Sequence, residues 1–141
     1  MIVRRATAED APACAAIVRR WLDTSDWMPD GPSEADLTRS MRAAFPLREA
    51  YVAEDGAMIL GYLSLDPDSD HIRGLYVGTP GRGTGRALVE RAKEGRDRLT
   101  LNSHMPNTRA HRFYAREGFV TVETDLPGSD GVAEHKMEWR R

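Results

Sequence analysis

Cysteine is nearly absent from this sequence, lysine is scarce, and no apolar run is long. The one cysteine, Cys14, excludes an internal disulfide framework. It lies in "APACAAIV", at helical spacing with Ala11, Ile17 and Val18, and reads as a small core residue rather than a nucleophile. Among 20 basic residues only Lys93 and Lys136 are lysine, so the positive charge is arginine, whose planar fork suits phosphate and carboxylate. No stretch reaches the roughly 18 apolar residues of a membrane helix, and "MIVRRATAED" holds no signal-like apolar core, so a cytoplasmic protein with no membrane partner is expected. A net charge of -2 offers no basic field for nucleic acid. His104, His111 and His135 have no cysteine or acidic partner at ligand spacing, so no metal is expected.

What is present suits one compact unit. A chain of 141 residues fits a single domain over 1–141, and at about this size roughly 68–70% of the unfolded surface is buried without metal or disulfide. "IVRRA" alternates as a strand; Thr7, with Asp10 three positions on, starts a helix with Cys14, Val18 and Leu22 on one face. Ser33 caps a second helix carrying Leu37, Met41 and Phe45, which Pro46 stops. Three strands follow: "AYVAED", "AMILGYLSLD" and "HIRGLYV". A glycine loop then opens onto a helix ending at Gly95, and after the strand "RLTLN" Asn107 caps a helix that stops at Gly118. The strands "FVTVET" and "EHKMEW" finish the chain. The order βααβββαβαββ implies a mixed α/β (α+β) sheet with helices on both faces.

The loop in "LYVGTPGRGTGRALVERA" is the segment that asks for a ligand. Alternate glycines at 81, 83 and 85, between a strand and a helix start, present free N–H groups and the positive end of a helix dipole, which favour phosphate. Arg82 and Arg86 stand ready to add charge. The spacing is wrong for a dinucleotide GxGxxG, and Arg86 with Ala87 replaces the Lys-Ser/Thr of a P-loop. A loop whose glycines only satisfy turn geometry is the other reading of these residues alone.

That block, followed by "LTLNSHMPNTRAHRFYAREGFV" with Asn107, Ala110, Phe113, Tyr114, Gly118 and Phe119, resembles the GNAT acyltransferase superfamily. The resemblance implies a mostly antiparallel sheet of about six or seven strands flanked by about four helices, and acetyl-CoA as cofactor. Backbone groups of Leu75, Tyr76 and Val77 would then pair with the pantetheine arm, and N–H groups of Arg82, Gly83, Thr84, Gly85 and Arg86 would hold the pyrophosphate. The stretch from Val77 to Gly81 is shorter than the family's, and Pro80 stands where the family mostly has Gln or Arg.

The resemblance also assigns chemistry. Tyr114 takes the place of the proton donor to the leaving thiolate. With ordinary values of about 10 for Tyr and 8.5 for a thiol, full transfer is uphill by roughly 2 kcal/mol, so the hydroxyl acts first as a hydrogen-bond donor. Asn107 combines helix capping with a place near the cofactor. An alkyl amine is only about one part in 2500 neutral at pH 7, a cost near 4.6 kcal/mol, so a base or a desolvating pocket is required. Unbroken alternation puts His71, Arg73, Leu75 and Val77 on one face, which makes His71 a candidate base, with Glu54, Asp66 and Asp70 as alternatives. "WLDTSDWMP" is similar to a stretch where one subset of the family builds its acceptor pocket, with Trp27 and Met28 as an apolar wall and Asp23 and Asp26 attracting a cationic amine. The expectation is an N-acetyltransferase, monomeric or homodimeric, acting on a small-molecule or amino-acid-like amine. The alternative is a non-catalytic acyl-CoA binding or sensing module, suggested by Pro80 and by the lack of an acidic residue near Arg73.

Overall fold

In the computed structural model, which describes residues 1–141, seven strands form one sheet in the order β1-β2-β3-β4-β5-β7-β6. The strands are β1 Ile2–Arg5, β2 Glu49–Asp55, β3 Met58–Leu65, β4 His71–Val77, β5 Arg98–His104, β6 Val120–Leu126 and β7 Glu134–Arg140. The helices are α1 Ala11–Thr24, α2 Glu34–Ala44, α3 Thr84–Lys93 and α4 Thr108–Arg116. All neighbouring pairs are antiparallel except β4 with β5. A parallel pair needs a crossover, and α3 supplies it.

Side-chain alternation divides the core in two. Along β2, Ala50 and Val52 pack with Cys14, Val18 and Leu22 of α1 and Met41 of α2. Tyr51 and Ala53 point the other way, toward Leu88, Val89 and Ala92 of α3 and Tyr114 of α4. Cys14 is fully buried, and burial pushes its thiol up to about 12, so it packs as an inert apolar group.

Local signals explain the helix ends. The Asp10 carboxylate accepts the Thr7 N–H at 2.8 Å and holds Arg4 through two bonds of 2.9 Å. The first turn there is a separate 3-10 turn, Ala8–Asp10, and α1 proper starts at Ala11 with Pro12 in its first turn. Ser33 Oγ accepts the Asp36 N–H at 3.1 Å, and Asn107 Oδ1 accepts the Ala110 N–H at 3.1 Å. Two departures from the sequence reading matter for function. Strand β5 runs on past Asn102 to His104. In β4 the register shifts, because Ser64 pairs with Gly74 and Leu65 with Ile72, which leaves Arg73 as the extra residue of a bulge.

Candidate active site

Strands β4 and β5 are joined only where the start of β4 meets the middle of β5, His71 opposite Thr100 and Ile72 opposite Leu101. Beyond that the ladder stops, and a cavity of about 1470 Å³ opens between them. Its lining comes from both faces of the sheet: Tyr114, Phe113 and Asn107 from the α3/α4 side, Ile17 and Trp21 from α1. Leu75, Tyr76 and Val77 form its rim along β4, where no β5 residue pairs with them.

The glycine loop closes one end. Gly81 has φ +84° and Gly83 +76°, and a Cβ added at either would meet nothing within 4 Å. These positions need glycine for their backbone angle and leave the main chain open to an incoming group. Gly85 is different: a Cβ there would stand 3.0 Å from the Phe113 ring, so glycine at this position makes room for that ring while its backbone still lines the cavity. Gly83 caps α3 with no side-chain bond, and Ala87 N–H donates to Gly83 O as the helix begins. The N–H groups of Thr84, Gly85 and Arg86 therefore have no partner within the helix. Thr84 Oγ1, buried at the same turn, also lacks a hydrogen-bond partner. Open glycines, unpartnered donors and an orphaned hydroxyl fit a diphosphate. Arg86 lines the cavity; the Arg82 side chain instead meets Asp55 at 3.4 Å, so its expected charge is directed elsewhere.

Tyr114 is 8% exposed and packs edge-on to Phe113 and Phe119 with ring centroids 5.3 and 5.6 Å away. Burial, and then the neighbouring Tyr76, push its hydroxyl above the ordinary tyrosine value, so it holds its proton at any physiological pH.

Opposite, Trp21 stands edge-on to Tyr76 at 5.3 Å and to Trp27 at 5.6 Å, and His104 lies 6.0 Å from Trp21 and 5.3 Å from Trp27. Met28 packs into the core beneath α1 rather than along the cavity. Asp26 is exposed and apart from the lining, and Asp23 is tied to Arg19 at 2.8 Å. The carboxylates the structure brings here are Asp130 and Glu134, from the β6–β7 connection and the start of β7. His104 thus has the acidic neighbours its sequence spacing did not reveal. Its Nε2 lies 2.6 Å from Asp130 Oδ2 and 3.9 Å from Glu134 Oε2.

The bulge corrects the expected face of His71. Ile72 and Leu75 both pack on the α3/α4 side, so His71 shares the opposite face with Tyr76 and not with Leu75. Its Nδ1 lies 2.8 Å from Thr100 Oγ1 at the joined end of the strands. Burial pushes its imidazole below the ordinary value.

A seam opened through a mixed sheet, with a glycine loop and a helix N-terminus at one end and an aromatic, acidic wall on the far side, suits a long anionic ligand. A model of the acetyltransferase (GNAT) domain matches residues 32–141. The chain belongs to this family of acetyl-CoA-dependent N-acetyltransferases. It is 27% identical to the peptidyl-lysine N-acetyltransferase YiaC of Escherichia coli K12 over 142 aligned positions, which cover 89% of this chain and 92% of that protein. In fold it is similar to YjaB of Escherichia coli, with a TM-score of 0.78 and 23% identity over 99% of this chain and 98% of the other. It is also similar to yncA of Salmonella typhimurium, solved with its cofactor acetyl-CoA, at TM-score 0.75 and 19% identity over 99% and 93%.

Proposed function

We propose that this enzyme transfers the acetyl group to an aliphatic primary amine that arrives as a cation, a small-molecule or amino-acid-like acceptor, with both substrates bound at once. The observation that carries this reading is the cavity that passes through the sheet, reaching Tyr114 from one face and the Trp21 and His104 wall from the other. When bound, acetyl-CoA supplies the thioester whose acetyl group moves. The N–H groups of Arg82 to Arg86 and the Thr84 hydroxyl would receive the pyrophosphate, and the unpaired edge of Leu75, Tyr76 and Val77 the pantetheine arm. Asn107 lines the same cavity while its Oδ1 holds the start of α4.

Tyr114 keeps its proton at Oη, and its hydroxyl would donate a hydrogen bond to the leaving sulfur of bound acetyl-CoA. A tyrosine pushed upward is a weak acid, so its contribution is a hydrogen bond that strengthens as charge develops. The wall of Trp21, Trp27, Asp130 and Glu134 suits an ammonium, since aromatic faces and carboxylates both attract cations. The peptidyl-lysine specificity in the name of the curated relative supports a lysine side chain as a second form of the same acceptor.

The test is calorimetric titration with acetyl-CoA, then thiol release with small diamines, with Nα-acetyl-lysinamide and with a lysine-containing peptide. Release with the small amines supports the reading. Release with the peptide alone moves the acceptor to protein lysine, and binding without release from any of them leaves the acyl-CoA binding module.

A further inference from the structure

We propose that His104, positioned by Asp130, is the base that takes the proton from the acceptor ammonium; this rests on the transferase reading above. The strand register separates the two histidines that could do it. His71 sits opposite Thr100 where β4 and β5 are joined. His104 stands four residues further along β5, about 13 Å at 3.3 Å per residue, beside the open part of the seam. Its ring lies among Trp21, Trp27 and the lining carboxylates.

The pairing selects the reactive nitrogen. Asp130 Oδ2 accepts the Nε2–H at 2.6 Å, and this fixes the tautomer in which Nδ1 carries the lone pair. The other Asp130 oxygen accepts the Val132 N–H at 3.0 Å. Against the penalty of burial, the Val132 amide and then His104 hold the Asp130 carboxyl below the ordinary carboxylate value. Glu134 is oriented by Asn102, whose Nδ2 donates to Oε1 at 3.1 Å. The titratable groups beside the His104 ring are Asp130 and Glu134 from the β7 side; Tyr76 of β4 lies near those two carboxylates, and His111 of α4 is bonded to the His104 backbone. The α1 side presents the uncharged rings of Trp21 and Trp27.

The step balances. One N–H bond of the ammonium breaks, its electron pair stays on nitrogen, and the proton bonds to Nδ1; the imidazolium charge faces Asp130 and Glu134. The free pair forms the bond to the acetyl carbon as the carbon–sulfur bond breaks. A second proton leaves the same nitrogen to water, the departing thiolate, held by the Tyr114 hydrogen bond, takes one from water, and His104 returns its proton to water.

The experiment compares wild type, His104→Gln, Asp130→Asn and His71→Gln, with Nα-acetyl-lysinamide as acceptor and acetyl-CoA saturating. At pH 7, His104→Gln should lower kcat/KM by about 10²–10³-fold, within the usual range for proton transfer, with acetyl-CoA affinity retained. Without a base only the neutral amine reacts, so the variant's rate rises about tenfold per pH unit toward about 10.4, and its deficit shrinks as pH rises. Asp130→Asn should lose about tenfold or more through the wrong tautomer. An acid limb that disappears in His71→Gln while His104→Gln keeps the wild-type profile would overturn the proposal and leave the transferase intact. If no amine turns over, ¹⁵N-histidine spectra still decide the geometry. An Nε2–H tautomer at His104 that collapses in Asp130→Asn supports the dyad, and an Nδ1–H tautomer overturns it.

Discussion

On one side β5 pairs with β7 over its whole length, from Arg98 opposite Arg140 to His104 opposite Glu134. On the other side it meets β4 at two residues and then separates. The closed border is lined by Leu99, Leu101, Met137 and Trp139, all buried in one core cluster. The open border is lined by a half-buried Leu75 and Val77 and leaves a cavity where a ladder could have been. The same strand is thus held rigidly on one edge so that its other edge can stay unpaired, and an unpaired edge inside a protein is a binding surface for something with donors and acceptors of its own.

Breaking the open border at its chemistry should give the largest effect. Tyr114→Phe is expected to lower thiol release by about 10²–10⁴-fold while calorimetric acetyl-CoA binding persists, since it removes one proton donor and no volume of consequence. A comparable loss of acetyl-CoA affinity would mean that Tyr114 only shapes the pocket.

The closed border should answer in stability instead. Leu99 is fully buried, and Leu99→Ala should cost about 2–5 kcal/mol in urea unfolding, against a smaller loss for Leu75→Ala on the open side. Equal losses would remove the distinction between the two borders. Next in size is Gly85→Val, which meets the Phe113 ring and should destabilise by about 1–3 kcal/mol through overpacking; thermal unfolding measures it, and a neutral result would mean that Phe113 can turn away.

The smallest effect lies where the two strands are still joined. Burial lowers the His71 value in the folded protein below 6.5. As pH falls through the ordinary value the unfolded chain takes up a proton that the folded chain refuses, so stability declines. His71→Gln should flatten that decline between about pH 7 and 5, read from urea midpoints at the two pH values; an unchanged decline would mean that His71 does not contribute to it.

The fold was largely legible because its signals are local. Ser33 and Asn107 cap the helices they were expected to cap, and the order of elements follows from periodicity alone. Within the glycine loop Gly85 looks like Gly81 and Gly83 in sequence, and only packing against Phe113 separates it. The face of His71 was misread because alternation carries no mark of a one-residue bulge at Arg73. Asp130 and Glu134 were missed for another reason. They lie 26 and 30 residues beyond His104 in number, and their approach depends on β7 pairing with β5, which no short-range pattern announces. The carboxylates chosen in their place, Asp23 and Asp26, were near the tryptophans in sequence but do not line the cavity, Asp23 being paired with Arg19 and Asp26 exposed.

The most direct measurement is backbone hydrogen exchange with and without acetyl-CoA. Protection should rise at the amides of Thr84 to Arg86 and along Leu75 to Val77, while the β5–β7 border, already paired, stays unchanged. Protection confined to other segments, or none at these amides when acetyl-CoA is bound, would contradict the assignment of the open seam as the cofactor's seat.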